Sequence, residues 1–334
     1  MAVKVGINGF GRIGRLVLRN AMQRDDIEVV AVNDLGSLEG NAHLFKYDSV
    51  HGIYKGEVEV KDKSIIVDGK EVRYLNEKDP AKLPWKEMGV QVVVEGTGVF
   101  RSKATAGKHI EAGASKVIIT APGKDVDITM VMGVNQEKYD SKFDIVSNAS
   151  CTTNCLAPVA KILLDEFGIV KGLMTTIHSF TNDQRVLDLE HSDFRRARAA
   201  SMSLIPTTTG AAAAVGLVIP ELKGKLDGMA IRVPTPNVSM IDLTLELEKS
   251  ASVEAINQVF KHASETNLKG ILKYTEIPLV SNDYIGESHS AVVDGLLTMT
   301  MGDKMAKVIA WYDNEWGYSV RVVDAVVYLA QQGL

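Results

Sequence analysis

A glycine-rich turn at the start of the chain constrains its fold more than any other feature. Val3 to Ile7 reads as a strand, Gly9-Phe10-Gly11-Arg12-Ile13-Gly14 follows, and a helix opens with Ile13, Leu16, Val17 and Ala21 at spacings of three and four. A second strand, Ile27 to Val32, ends in Asn33-Asp34. Glycines in such a turn let the backbone approach a pyrophosphate. The helix N-terminus supplies N–H donors and positive potential, and an acidic residue ending the next strand accepts from a ribose. The six-residue pattern alone says little, because glycine occurs 28 times in 334 residues. Its place between a strand and a helix carries the reading of a dinucleotide site. Asp34 favours NAD: a 2′-phosphate beside its carboxylate meets repulsion of about 1 kcal/mol in water and about 4 kcal/mol at a partly buried site. NADP is the poorer alternative.

The first half of the chain alternates β-rich runs with helical patterns, which predicts a parallel sheet of βαβ units. Gln91 to Glu95, Lys116 to Thr120, Thr129 to Met132 and Asp144 to Ser147 are further strand candidates. Val92-Val93-Val94 and Val117-Ile118-Ile119 are continuously apolar, as strands covered on both faces are. After about residue 150 the texture changes. A helix is expected from Cys151 to Phe167. Met240, Leu243, Leu245 and Leu247 then interleave with Asp242, Thr244, Glu246 and Glu248, the pattern of an antiparallel sheet with one wet face. The expected class is α/β: a Rossmann-type dinucleotide-binding domain with a second, α+β domain on a mostly antiparallel sheet. The first takes residues 1–150 and 315–334, the last helix returning to it, and the second takes 151–314. The segment Thr181 to Ser203 is long, charged and without convincing period, and an ordered loop of that length has a task such as binding or subunit contact.

Composition excludes several classes. At 46% hydrophobic the chain can bury a full core, and a net charge of −5 gives no footprint for nucleic acid. No apolar run approaches the ~20 residues of a membrane span, and the first motif begins too early for a signal peptide. The two cysteines, Cys151 and Cys155, lie four apart in one expected helix, which rules out a disulfide scaffold and points to a reducing, cytoplasmic location.

Cys151 is the candidate nucleophile. It follows a strand and begins a helix, where the dipole and nearby N–H groups stabilise a thiolate. Cys155, one turn further in, reads as a buried small side chain. A structural cysteine is the ordinary alternative for Cys151 as well. Among His43, His51, His109, His178, His191, His262 and His289, none has metal-ligand spacing. His178 stands out as a base because Leu173 to Ile177 reads as a buried strand that delivers it to the charged loop, although a satisfied core histidine reads the same way.

Taken together these residues resemble the phosphorylating glyceraldehyde-3-phosphate dehydrogenases over essentially the whole chain. The markers are residues 7–15, beginning Ile7-Asn8-Gly9, and residues 147–155, with Ser150-Cys151-Thr152-Thr153-Asn154. Three more follow: Pro206-Thr207-Thr208-Thr209-Gly210, Arg232-Val233-Pro234-Thr235-Pro236-Asn237 and Trp311-Tyr312-Asp313-Asn314-Glu315. The resemblance implies a Cys151 thiohemiacetal and thioester, with His178 as base and inorganic phosphate as the second substrate. It implies that Thr181 and Arg232 hold the substrate phosphate, that Ser150, Thr152, Thr209 and Gly210 serve the attacking phosphate, and that Arg198 lies near both. Arg195 and Arg196 read as surface charges. Gly9, Gly11, Arg12, Ile13 and Gly14 match the pyrophosphate loop, Asp34 the ribose contact, Lys78 loosely the adenosine side, and Thr120 and Asn314 the nicotinamide side. The family implies a homotetramer whose charged loop reaches a neighbour's cofactor pocket. Three departures from the family's pattern stand out: Glu190 where NAD-specific members often carry proline, which softens the preference for NAD; Phe180 for a common tyrosine; and Trp316. Erythrose-4-phosphate dehydrogenase is the nearest rival, and the intact Thr207-Thr208-Thr209-Gly210 segment favours the phosphate-using branch. A non-catalytic regulatory or RNA-binding relative would be expected to have lost Cys151, His178 or Arg232.

Overall fold

The computed structural model describes residues 2–334, which gather into two compact units. One comprises residues 2–130, Gln136–Ala149 and Ser319–Leu334, and the other Val131–Asn135 and Ser150–Tyr318.

In the first unit β1 (Val3–Asn8) and β2 (Ile27–Asn33) pair in parallel across α1 (Arg12–Ala21). Helix α2 (Leu38–Lys46) leads to a two-residue pair, β3 (Tyr47–Asp48) and β4 (Gly52–Ile53). Then come β5 (Val58–Lys61), β6 (Ser64–Val67), β7 (Lys70–Leu75) and β8 (Val92–Glu95). After the short helices α3 (Lys103–Ala106) and α4 (Lys108–Glu111), β9 (Lys116–Ile119), β10 (Ile128–Thr129) and β11 (Ile145–Ser147) complete the sheet. Its order is β10-β11-β9-β8-β1-β2-β7-β6-β5, and only β5–β6 and β6–β7 run antiparallel. The direction of winding reverses at β1, between β2 and β8, so a crevice opens at the carboxyl ends of those strands. All residues of β8 and β9 are buried, as two-sided cover requires. The strand expected over Thr129 to Met132 is shorter, because pairing with β11 stops at Thr129.

The second unit opens with α5 (Cys151–Phe167), capped at its N-terminus by the Ser150 side chain and ended by Gly168 at φ +68°. Its sheet is built from β12 (Ile169–Ser179), β13 (Ile205–Thr208), β14 (Leu226–Val233), β15 (Ser239–Leu247), β16 (Leu272–Thr275), β17 (Ala291–Asp294), β18 (Met299–Met301) and β19 (Met305–Tyr312). The order is β13-β14-β12-β15-β19-β17-β16, with β18 on β19. Two pairs, β12–β14 and β16–β17, are parallel and the rest antiparallel. Helix α5 packs on this sheet beside α6 (Ala211–Val218) and α7 (Val253–Glu265). The last helix, α8, spans Trp316–Gln332. Two expectations need correcting. The buried face of β15 is Ser239, Ile241, Leu243, Leu245 and Leu247, so Met240 belongs to the wetter face with Asp242 and Thr244. Likewise β12 is not buried throughout: Leu173 is exposed, because only one face of this sheet carries helices. Between Ser179 and Ile205 the chain forms no helix or ladder, only an isolated bridge of Arg185 with Ala199.

Candidate active site

Sheet pairing brings the chemistry of the second unit together. β12 and β14 run in parallel with His178 directly opposite Arg232. Helix α5 packs on the same sheet with Cys151 as its first residue, and the Cys151 Sγ lies 3.5 Å from His178 Nε2. On the other ring nitrogen, Nδ1 lies 2.7 Å from the Ser179 carbonyl oxygen and 2.5 Å from Arg232 Nη1. These two contacts demand opposite proton placements. A carbonyl can only accept, and Arg232 also donates to the Ser179 oxygen at 3.1 Å, so we assign the ring proton to Nδ1. That tautomer leaves the Nε2 lone pair facing the thiol. Tyr312, edge-on to the His178 ring, bonds Thr152 Oγ1 at 2.8 Å and Thr176 Oγ1 at 2.9 Å.

Burial pushes the Cys151 thiol up, against the pull of the Arg232 charge and of hydrogen bonds from Thr152. Burial here acts against the stabilisation expected of a helix N-terminus, and the Arg232 charge acts with that stabilisation. His178 is held down to about 3, first by burial and then by Arg232. Both directions favour the uncharged forms, thiol and imidazole. Arg232 itself is lowered by burial and steadied by Cys151.

The arginines of the long loop are distributed differently from expectation. Arg198, expected near both anions, is 67% exposed in its side chain and pairs with exposed Asp188 at 2.9 Å. Arg196, expected to be a surface charge, reaches Thr207 Oγ1 through Nε and Nη2 and Asp183 through Nη1, and its charge bears on Arg232. An arginine-rich run without period shows no face from which to choose among its members. Thr181 is half-buried, with its N–H and hydroxyl both on Gln184 Oε1. Ser150 caps α5 through Thr153 N–H. Thr209 accepts from Ala211 N–H, and Gly210 is the N-cap of α6 with open space around it. Thr152 is buried, its hydroxyl engaged by Tyr312. Sequence reasoning missed Tyr312, Thr176 and Gln184, whose partners lie 136 or more residues away or in a loop without pattern.

In the first unit a pocket of about 820 Å³ is lined by Gly9, Gly11, Asp34, Lys78, Thr97 and Phe100, among others. Gly9 has φ +93°, and a Cβ there would meet Thr97 N at 2.6 Å; one on Gly14 would meet the Gly9 oxygen at 2.1 Å. A Cβ on Gly11 would meet nothing, so that position leaves room over the loop. Helix α1 has no side-chain cap. Asp34 accepts from Phe10 N–H and Gly36 N–H, which ties the acidic residue to the glycine loop. Arg12, half-buried, pairs with buried Asp48 at 2.5 Å, and Ile13 is half-buried beside it. The uncapped helix, the cradle and the tethered carboxylate fit a dinucleotide. Thr120 Oγ1 bonds the Glu95 carbonyl. Asn314, in the second unit, is oriented by Ser179 and Ser239 hydroxyls on its Oδ1.

Comparison with known proteins gives the family. The NAD binding domain of glyceraldehyde 3-phosphate dehydrogenase matches residues 3–103, and the C-terminal domain of that enzyme matches residues 150–314. The chain is 62% identical to the glyceraldehyde-3-phosphate dehydrogenase of Geobacillus stearothermophilus and 59% to glyceraldehyde-3-phosphate dehydrogenase 1 of Bacillus subtilis, over 100% of both chains in each case. It is 56% identical to glyceraldehyde-3-phosphate dehydrogenase 2 of a Nostoc species over 99% of each chain.

Proposed function

The chain belongs to the glyceraldehyde-3-phosphate dehydrogenase family and converts glyceraldehyde 3-phosphate to 1,3-bisphosphoglycerate with NAD, and we propose that Cys151 and His178 carry that reaction. The observation that carries the assignment is the 3.5 Å approach of Cys151 Sγ to a His178 Nε2 whose lone pair faces it. NAD, when bound, supplies the hydride acceptor. The residues of the chain do the rest. His178 takes the Cys151 proton as sulfur bonds the aldehyde carbon, then returns it to the new alkoxide to give the thiohemiacetal. Neutral again, His178 takes the hydroxyl proton as the C–H bond breaks, leaving a thioester. Inorganic phosphate attacks the thioester carbonyl, the C–S bond breaks, and the sulfur leaves with the proton held on His178.

Two anions must be held. Arg232, Thr181 and Arg198 are our assignment for that task, with Arg196, itself tied to Asp183, Asp193 and Thr207, packed beside them in the same loop. Ser150, Thr209 and Gly210 serve the attacking phosphate. Thr152 acts by hydrogen bonding to Cys151. For NAD, Gly9, Gly11, Arg12, Ile13 and Gly14 hold the pyrophosphate, Asp34 the adenosine ribose and Lys78 the adenine edge, with Thr120 and Asn314 on the nicotinamide side. We assign the cofactor unit to residues 1–150 and 315–334 and the catalytic unit to 151–314. We propose a cytoplasmic homotetramer. Val186, Leu187 and Phe194 of the long loop are 78%, 69% and 87% exposed, an apolar surface that subunit contact would cover. Light scattering that returns a monomer at micromolar concentration would remove that assignment. Among the described residues no helix is long and apolar enough to cross a membrane.

The test of the reaction follows the absorbance of reduced cofactor with glyceraldehyde 3-phosphate and NAD, with and without inorganic phosphate. Turnover that needs phosphate supports the thioester route. Turnover indifferent to phosphate would mean that water, not phosphate, receives the acyl group.

A further inference from the structure

Beneath the nucleotide pocket, the carboxyl ends of three neighbouring strands carry a buried polar chain that the reaction does not use. Asn8 ends β1, Asn33 ends β2 and Glu95 ends β8, and the sheet registers set Asn8 opposite both of the others. Asn33 Nδ2 donates to Asn8 Oδ1 at 2.7 Å, and Asn8 Nδ2 donates to Glu95 Oε2 at 2.6 Å. Behind them lie His109 and Trp85, both without exposed surface. Trp85 Nε1 approaches His109 Nδ1 at 3.0 Å, and His109 Nε2 approaches Glu95 Oε2 at 3.0 Å. An indole N–H can only donate. His109 Nδ1 is thus the acceptor, its proton sits on Nε2, and the ring donates to Glu95.

The two ends of this chain fasten the two walls of the pocket. At one end Asn33 grips the backbone of a single residue on both its groups: Glu77 N–H donates to its Oδ1 at 2.8 Å and its Nδ2 donates to the Glu77 oxygen at 2.9 Å. That residue begins the wall containing Lys78 and Asp79. At the other end Glu95 Oε1 accepts from Thr97 N–H at 2.8 Å and from the Thr97 hydroxyl, which in turn accepts from Val99 N–H. Thr97 and Val99 belong to the opposite wall. Burying a carboxylate, a histidine and two amides together is costly unless every partner is satisfied, and here each contact leads to one wall or the other.

We propose that Glu95, oriented by His109 and Trp85, is a positioning residue for the adenosine half of NAD: it holds the loops after β7 and β8 at the separation the nucleotide needs. The inference rests on the pocket being the adenosine site, and the test is chosen to read that pocket apart from catalysis. Dissociation constants for NAD and for ADP-ribose are measured by calorimetry in the wild-type protein and in His109→Leu, His109→Gln and Trp85→Phe, beside kcat at saturating NAD and KM for glyceraldehyde 3-phosphate. Leucine breaks the chain, whereas glutamine can accept from Trp85 and donate to Glu95 with one amide. His109→Leu should weaken NAD and ADP-ribose in parallel by about tenfold, with kcat and the substrate KM within about twofold of wild type. His109→Gln should recover most of the loss. Should the leucine variant not fold, Trp85→Phe removes the indole donor and should weaken both ligands by about threefold. Unchanged ADP-ribose affinity in a folded His109→Leu or Trp85→Phe protein would overturn the proposal. So would a loss that falls on kcat instead of affinity, or one that glutamine does not recover. Wild-type protein that binds ADP-ribose but fails to turn over would count against the reaction and leave this inference standing.

Discussion

Asp48 offers a prediction in which structure gives both the magnitude and the sign. Burial alone would raise its carboxyl, but the His51 N–H, the Arg12 guanidinium and the Val50 N–H overcome that and hold it down to about 2, from 3.8. A carboxyl lowered in the folded chain contributes stability that is present above 3.8 and is lost as pH falls through about 2. The difference amounts to about 2.5 kcal/mol at neutral pH. Val50 and His51 donate to the same oxygen, Oδ1, at 2.9 Å, so asparagine keeps an acceptor for both. What it loses is the charge on Oδ2 facing Arg12, where an amide would set donor against donor. Asp48→Asn should therefore lower the stability read from urea midpoints by about 2 kcal/mol near pH 7, and the gap should shrink to about half near pH 3. Arg12, released from its anchor at the start of α1, should also hold the cofactor pyrophosphate less well, so the NAD dissociation constant should rise about three- to tenfold. A gap that stays constant between those pH values would refute the reasoning, because it would mean that the carboxylate is not held down in the folded protein.

Three further outcomes follow from the site. Cys151→Ser should abolish oxidation and leave NAD affinity within about twofold of wild type, since the residue belongs to the catalytic unit; near-normal turnover would end the covalent route. Because His178 is held down to about 3 from 6.5, the unfolded chain binds a proton that the folded one refuses. Wild-type stability should thus fall as pH drops through 6.5 toward 3, by about 2 kcal/mol near pH 5. His178→Asn should remove that acid dependence and slow turnover by about 10²–10⁴; parallel pH profiles of the urea midpoints would mean that His178 is not held down in the folded protein. For cofactor choice Asp34→Asn is cleaner than Asp34→Ala, since it keeps an acceptor for Phe10 N–H while removing the charge. It should narrow the NAD to NADP preference by about tenfold, and an unchanged ratio of kcat/KM would shift that role to the long loop.

Local signals in the sequence reached the parts of this protein that local chemistry determines. The strand–glycine turn–helix at Val3–Ala21 is legible because each residue type answers a steric demand within a few positions, as Gly9 and Gly14 show. Helix α5 has the bounds its pattern suggested, Cys151 to Phe167, because a serine cap and a following glycine mark its ends. The face of β15 was harder to place: Met240 and Ile241 are both apolar, and only pairing with β12 and β19 decides which turns inward. Arg196 and Arg198 could not be ranked from sequence, since their difference lies in the Thr207 and Asp183 contacts of a loop without period. The surroundings of the Cys151 thiol were illegible for a related reason. A helix terminus can be read from a cap, but the amount of water excluded there depends on Tyr312, Thr176 and Arg232, which arrive from other strands.

The opposition of His178 and Arg232 across β12 and β14 makes a sheet, not a loop, the gauge of the active site. Backbone pairing holds neighbouring strands at a separation of about 4.8 Å, so the ladder fixes where the two side chains start and on which face of the sheet they stand. A slip of one residue in either strand would turn one of the two partners to the far side of the sheet. Accommodation of a longer or bulkier aldehyde cannot come from respacing this pair. The segment between Ser179 and Ile205, which no ladder restrains, is free of that constraint. The chain thus sets a stretch that pairing leaves unconstrained beside a pair whose relative placement pairing imposes.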